Sequence, residues 1–327
     1  MFVLRGLIRL LLLLATAWAG GALWFDGPAW RPLAGALALA VGVGGALCAL
    51  LLPFARAVAI SAALLVAVLL WWLSIPPRAD RDWLPDVARA PRTTRDGDRI
   101  TIENVRNFHY RSETDYDERW ETRTYDLSKL KGVDLFLVTW GAPGIAHTIA
   151  SWEFEDMPPL AISIETRKEK GESYSAIRGF FRQYELYYVV GDERDLIGVR
   201  ASHRGERPSL FRFRMTRENA RKLLLRYLDE VDDLAAKPRW YNALTHNCTT
   251  EIRWNMMAIG VHNPFDWRIL ANAHLPELMY ERKAVDTSLP LAELVKRSDV
   301  TEKAKAADGA PDFSAHIREG LPGMSDR

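Results

Sequence analysis

The stretch Thr245-His246-Asn247-Cys248-Thr249-Thr250 contains the only cysteine outside the apolar N-terminal region. Glu251 to Ala258, which follow it, include neither glycine nor proline and stop short of Gly260, so the pattern predicts a short helix starting near Cys248. A thiol at a helix N-terminus meets the positive end of the backbone dipole, which lowers its pKa and raises its thiolate fraction. A nucleophilic role then requires a base from elsewhere in the chain and a third group to orient that base.

Of the seven histidines, His246 shares the loop with Cys248 and is badly placed to approach the thiol edge-on. His147 follows the turn Gly141-Ala142-Pro143-Gly144 and opens an expected strand, where a side chain projects at the sheet end. Alone, His147 reads as a hydrogen-bonded structural histidine; beside an isolated cysteine it becomes the candidate base. On the next expected strand, Leu160, Ile162 and Ile164 alternate with Ala161, Ser163, Glu165 and Arg167. The apolar set is expected to face the core, leaving Glu165 and Arg167 on the other face, near His147 in a hairpin register. Glu165 is the candidate orienter, its plainer alternative being a salt bridge with Arg167 or Lys168. For an oxyanion, the backbone N–H of Cys248 is one candidate donor, with Asn247 or Tyr241 as a second. Arg167 is a further candidate substrate contact.

Composition narrows the classes. The 327 residues are 48% hydrophobic with a net charge of +1, so no global field points to nucleic acid or to acidic partners. No glycine-rich phosphate loop follows a strand and there is no paired CxxC, so no cofactor and no metal are expected. Two cysteines are too few for a disulfide framework, and Cys48, midway along an apolar segment, reads as a packing residue. It also lacks the flanking residues of a lipidation site.

Residues 1–76 are almost free of charge and read as three membrane spans. Leu10 to Phe25 reaches spanning length if Phe2 to Arg9 continues the helix with Arg5 and Arg9 snorkelling to the interface. Ala15, Ala17 and Ala19 resemble a signal-peptide processing site, but two further spans follow at once, Leu33 to Ala55 and Val58 to Ile75, so an uncleaved span is expected. Gly35, Gly42, Gly44 and Gly45 suit close helix packing, and the absence of acidic residues inside the spans argues for an anchor over a transporter. With Arg5, Arg9 and Arg56 on the cytoplasmic side, everything after Ile75 lies across the membrane.

Residues 77–98 read as a linker and 99–305 as the main domain, with residues 306–327 as a flexible tail. Strands are expected at Arg99 to Val105, Val133 to Thr139, His147 to Phe154, Leu160 to Arg167, Glu185 to Val190 and near Ser209 to Met215. A helix with Thr216 as its N-cap runs to just before Pro238, and short helices are expected around Trp267 to Ala273 and Leu291 to Lys305. Arg200, His203, Arg204, Arg207, Arg212, Arg214 and Arg217 form a basic patch, read as a solvated surface or as a contact for anionic lipid headgroups.

Several segments together resemble the Lnb N-terminal periplasmic domain family over about Ile100 to Met257. They are Phe108-His109-Tyr110-Arg111-Ser112-Glu113-Thr114-Asp115, Thr124-Tyr125-Asp126-Leu127, Ala146-His147-Thr148, Ser163-Ile164-Glu165-Thr166-Arg167-Lys168-Glu169, Phe181-Arg182-Gln183-Tyr184-Glu185-Leu186 and Asn247-Cys248-Thr249-Thr250. The resemblance implies an α+β fold with an antiparallel sheet, a circularly permuted papain-like (NlpC-type) domain in which the histidine strand precedes the cysteine helix. It also implies lipoprotein N-acylation through a cysteine thioester, with Cys248 as nucleophile and His147 as base. The expected protein is therefore a multi-pass protein of the bacterial inner membrane with its soluble domain in the periplasm, a cysteine acyltransferase or acyl hydrolase. Its expected partners are membrane lipid and a lipoprotein substrate, with no nucleic acid and no assigned oligomeric state. The alternatives are an amidase or peptidase acting on cell-wall peptides and a non-catalytic anchored binding module.

Overall fold

Long uncharged runs rich in leucine and alanine can satisfy their backbone only within themselves, and the N-terminal quarter of the chain is accordingly helical. The computed structural model describes residues 2–324; the first residue of the expected anchor and the last three of the expected tail lie outside them. Helices α1 (Phe2–Asp26), α2 (Arg31–Leu51) and α3 (Phe54–Leu73) are each long and apolar enough to cross a membrane. Residues 2–9 continue α1 without a break, as expected. The chain forms two compact units, the first comprising Met1–Ala79 with Ser173–Glu185 and Trp240–Ala243. The anchor therefore includes two segments far along the sequence that residues 1–76 alone do not announce.

Within this unit α1 and α2 approach closely where side chains are absent. A Cβ on Gly20 would lie 3.1 Å from the Gly42 Cα, and one on Gly45 would lie 2.7 Å from Thr16 Cγ2. Gly35 instead faces the Trp24 ring, and a Cβ on Gly44 would meet nothing within 4 Å among the described residues. Only two of the four expected glycines, Gly42 and Gly45, thus sit at close crossings. Arg9 donates to the carbonyls of Ala49 and Leu50, both at 2.6 Å, closing the C-terminal end of α2. Asp26 accepts from Trp72 Nε1, the Arg182 backbone N–H and Gln183 Nε2, while Phe181 stacks on Phe25 at 4.8 Å.

The second unit (Asp80–Glu172, Leu186–Arg239 and Leu244–Arg327) is built on a sheet. Its strands are β1 (Arg92–Asp96), β2 (Arg99–Arg106), the short pair β3 (His109–Tyr110) and β4 (Tyr116–Asp117), β5 (Trp120–Asp126), β6 (Leu130–Thr139), β7 (His147–Phe154), β8 (Leu160–Arg167), β9 (Glu185–Asp192) and β10 (Arg207–Arg212). The main sheet runs β1-β2-β9-β8-β7-β6-β10, with β5 also paired to β2. The β2–β9 join is parallel, so the sheet is mixed and not the purely antiparallel one expected. The helices are α4 (Glu193–Leu196), α5 (Arg217–Ala236), α6 (Cys248–Ala258), α7 (Leu275–Glu281), α8 (Leu291–Ser298), α9 (Thr301–Ala306) and α10 (Phe313–Arg318). The single helix expected over 291–305 breaks at Asp299, which is extended, into α8 and α9.

The unbroken apolar run of β6 has a direct cause, because both faces of the strand are covered. Phe136 and Val138 enter one cluster with Ile149, Phe313 and Ile317, whereas Leu135 and Leu137 enter another with Phe211, Ile269 and Leu275. For the same reason Ser163 on β8 is fully buried, although the alternation alone would place it on an open face.

Two further expectations are corrected here. The segment read as a linker buries Trp83 and Val87 in the core and ends in β1. The segment read as a flexible tail docks through α10, with Phe313, Ile317 and Leu321 buried and Arg318 bonded to both Asp134 and Glu193. Those two carboxylates are fully buried, and Arg318 bridges them, with Arg212 as a second cation on Asp134. Removing one partner of a buried pair costs about 3–5 kcal/mol. Arg318→Met is therefore expected to destabilise the full chain by about that amount in denaturant unfolding followed by tryptophan fluorescence, and a loss below about 1 kcal/mol would contradict the docked reading.

Candidate active site

Cys248 is the first residue of α6, and its position is set by a capping box. Asn247 Oδ1 accepts from the backbone N–H groups of Thr249 and Thr250, both at 2.9 Å, and Thr250 Oγ1 accepts from the Asn247 N–H at 2.8 Å. The cap uses two of the exposed donors of the helix and not that of Cys248. Asn247, expected as an oxyanion contact, is thus committed to fixing the helix start.

His147 opens β7, and the β7–β8 register, Ile149 opposite Ser163, carries it opposite Glu165. Its Nε2 lies 2.7 Å from Ser163 Oγ and 3.1 Å from Glu165 Oε1. Ser163 gives its one proton to Glu165 Oε1 at 2.7 Å, so its oxygen must accept from His147 Nε2–H. The proton on Nε2 leaves Nδ1 as the ring nitrogen able to take a proton, and the His147 and Cys248 side chains are close enough for each to shift the other's titration. Arg200, on a π-helical turn (Val199–His203), reaches the same Glu165 oxygen at 2.7 Å and Glu206 at 2.9 Å.

The charges follow from these contacts. Burial alone would push the Cys248 thiol up, but the His147 charge and hydrogen bonds from His147 and Thr148 outweigh it and bring the thiol down to about 7. Burial would likewise lower His147, yet the Glu165 carboxylate prevails and raises it to about 9. Glu165, despite the opposing effect of burial, is held well below the ordinary carboxylate range by His147 and Arg200. As pH rises through about 7 the thiolate forms, and above about 9 the imidazolium loses its proton. Between these values the favoured state is a thiolate beside an imidazolium.

A second set of polar groups surrounds the sulfur. Thr249 Oγ1 lies 3.7 Å from it and Asn272 Nδ2 lies 3.9 Å from it. Both Nδ2 protons of Asn272 are already engaged, by Ala146 O at 2.6 Å and Thr249 Oγ1 at 2.8 Å, while its Oδ1 accepts from the Ala146 N–H. Asn272 therefore ties the entrance of β7 to the start of α6.

The structure brings together Cys248, His147 and Glu165, and gives Arg167 and His246 other partners. Arg167 donates to the Val87 and Ala88 carbonyls and lies over the Trp83 ring at 4.3 Å, pinning the segment before β1. Tyr241 pairs its backbone with Tyr184 and lies over Gly179 in the first unit. His246 bonds Glu251 at 2.7 Å. The basic patch persists only in part, with Arg207, Arg214 and Arg217 exposed. Arg200 and Arg212 are buried among carboxylates, and Arg204, Arg207 and Arg214 each pair with an acidic residue. Sequence reasoning missed Ser163, Arg200, Thr148, Thr249 and Asn272. Ser163 alone carried a signal, as a hydroxyl on the same strand face as Glu165.

A family model described as Lnb N-terminal periplasmic domain matches residues 116–273. No curated protein and no solved structure matches the chain.

In a Cys48→Ala background, alkylation of Cys248 by iodoacetamide is expected to rise with pH about a midpoint near 7. Glu165→Gln removes the charge that raises His147, so the imidazolium is lost at lower pH and the thiolate loses its partner. The alkylation midpoint should then move up towards the ordinary thiol value of about 8.5. A midpoint unchanged by Glu165→Gln would contradict the orienting role.

Proposed function

Because the chain carries a Lnb N-terminal periplasmic domain across residues 116–273, in a membrane protein with three apolar N-terminal helices, we propose that it is a cysteine acyltransferase or acyl hydrolase acting on a lipid-linked substrate. The observation that carries this reading is the His147 imidazole, held at Nε2 by Ser163 and Glu165 and placed where its charge brings the Cys248 thiol down. In this reading the domain is a permuted papain-like one: β7, bearing the histidine, precedes α6, bearing the cysteine. Its membrane is the bacterial inner membrane and its acceptor a lipoprotein N-terminal amine.

The reaction follows from the ion pair. The Cys248 thiolate attacks the ester carbonyl of the donor, forming a C–S bond and placing negative charge on the carbonyl oxygen. The Cys248 backbone N–H, which the Asn247 cap leaves aside, faces that charge at the positive end of α6. Collapse expels the alkoxide, which takes a proton from the His147 imidazolium, and a thioester remains. An amine or a water then attacks the thioester, His147 accepts its proton, and the thiolate returns. Glu165 stays ionised throughout and keeps His147 Nε2–H directed away from the sulfur. Anchoring holds the enzyme and a bilayer-borne donor at high effective concentration.

The full chain, reconstituted in vesicles with acyl-labelled lipid, is expected to acquire a hydroxylamine-sensitive label that Cys248→Ala lacks. His147→Ala is expected to slow labelling by about 10²–10⁴-fold, the usual contribution of general acid–base catalysis. Label that persists in Cys248→Ala, or release of amine from cell-wall peptides without any acyl-enzyme, would overturn the proposal.

A further inference from the structure

A cavity of about 350 Å³ opens on the flank of α6, and Thr249, next in sequence to Cys248, lies in its wall. Its floor is apolar, formed by residues that include Leu135, Ile252, Met256, Ile269, Leu278 and Met279. The volume falls at the low end of the range for small-molecule sites, about 300–1,000 Å³, which suits one acyl chain better than two.

The rim differs sharply from the floor. Among the described residues Arg214, Arg253, Arg282 and Lys283 line it, and no carboxylate does. Asp286 pairs with Arg214 at 3.1 Å, and Arg282 is held by Asn263 and the Pro264 carbonyl. Neither of the latter two groups carries a charge. The acidic residues that feel Arg282 from outside the cavity, Asp266 and Glu281, are both bonded to Arg268 instead. Arg253 has a buried Nε with no hydrogen-bond partner among the described residues. Lys283 is exposed. Three cations thus face an apolar cavity whose described lining holds no carboxylate, with the one excess charge of the Asp266, Glu281 and Arg268 group offsetting Arg282 from outside.

The loop that contributes Val261, His262 and Asn263 to the wall also leaves Phe265 61% and Trp267 59% exposed. Large exposed aromatics beside an apolar opening suit an amphiphile more than a water-soluble anion. From the apolar floor, the cationic rim and these aromatics, we infer that this cavity binds a single-chain lipid with an anionic phosphate headgroup, the chain lying on the floor and the phosphate on Arg253, Arg282 and Lys283. Binding here does not depend on the thiol reaction proposed above, so it is read without turnover and can fail or hold independently of that reaction.

The test uses the full chain in phosphatidylcholine nanodiscs with a fluorescent lysophosphatidylglycerol as probe. Unlabelled lysophosphatidylglycerol is expected to displace the probe at a concentration at least about tenfold lower than zwitterionic lysophosphatidylcholine does, given the headgroup attraction of several cations. Chainless glycerophosphoglycerol is expected not to displace it over the same range. The double variant Arg253→Gln, Lys283→Gln should bring the two lysolipids to within about twofold of each other. Ile252→Trp, which fills the cavity, should weaken both, with the thermal unfolding midpoint and the alkylation rate of Cys248 as controls for folding. Should Ile252→Trp misfold, the rim variant decides alone. Equal displacement by the two lysolipids, an unchanged preference in the rim variant, or displacement by glycerophosphoglycerol as strong as by the lipid would overturn the inference.

Discussion

The charge coupling between Cys248 and His147 joins two elements far apart in sequence, and each is held at its first residue. Cys248 starts α6 because Asn247 and Thr250 close a capping box around it. His147 starts β7 because the preceding turn ends at Gly144, whose φ of +72° is one that other residues rarely adopt. Asn272 then bonds to both sides, taking the Ala146 backbone with one set of groups and Thr249 with another. A shift of either element by one residue would turn one side chain away, so the candidate chemistry depends on backbone features more than on side-chain packing.

Burying such groups is costly, and the unit offsets that cost with matched charges. Glu165 and Arg200 sit beside the imidazole, with Glu206 completing the set. Elsewhere Arg106 grips the fully buried Asp195, which also accepts from the Phe108 N–H at 2.7 Å. Asp134, Glu193, Arg212 and Arg318 form a similar cluster between β6 and α10. These pairs contribute little net stability compared with apolar packing, but the loss of any one partner leaves a bare buried charge. The C-terminal helix is therefore tied to the same sheet whose β7 carries His147.

Much of this is legible in the chain. The cysteine stands alone, the histidine follows a glycine turn, and the alternation along 160–167 places Glu165 on the face that meets it. Both β7 and β8 have the bounds that the alternation predicts. What escapes such reading is non-local. Arg200 reads as one of several basic surface residues, and only the π-helical turn directs it inward to Glu165. Phe313, Ile317 and Leu321 recur every four residues, but the glycine, proline and charge around them mask an amphipathic face. Trp83 and Val87 are hidden in the same way within a proline-rich stretch.

Titration of the His147 imidazole by nuclear magnetic resonance, in the wild type and in Cys248→Ser, measures the central interaction directly. The account predicts that His147 remains protonated to about pH 9 while Cys248 is a thiolate, and that Cys248→Ser lowers this titration by removing the negative partner. An imidazole that titrates near its ordinary value of about 6.5 in both proteins would contradict the ion pair and the chemistry built on it.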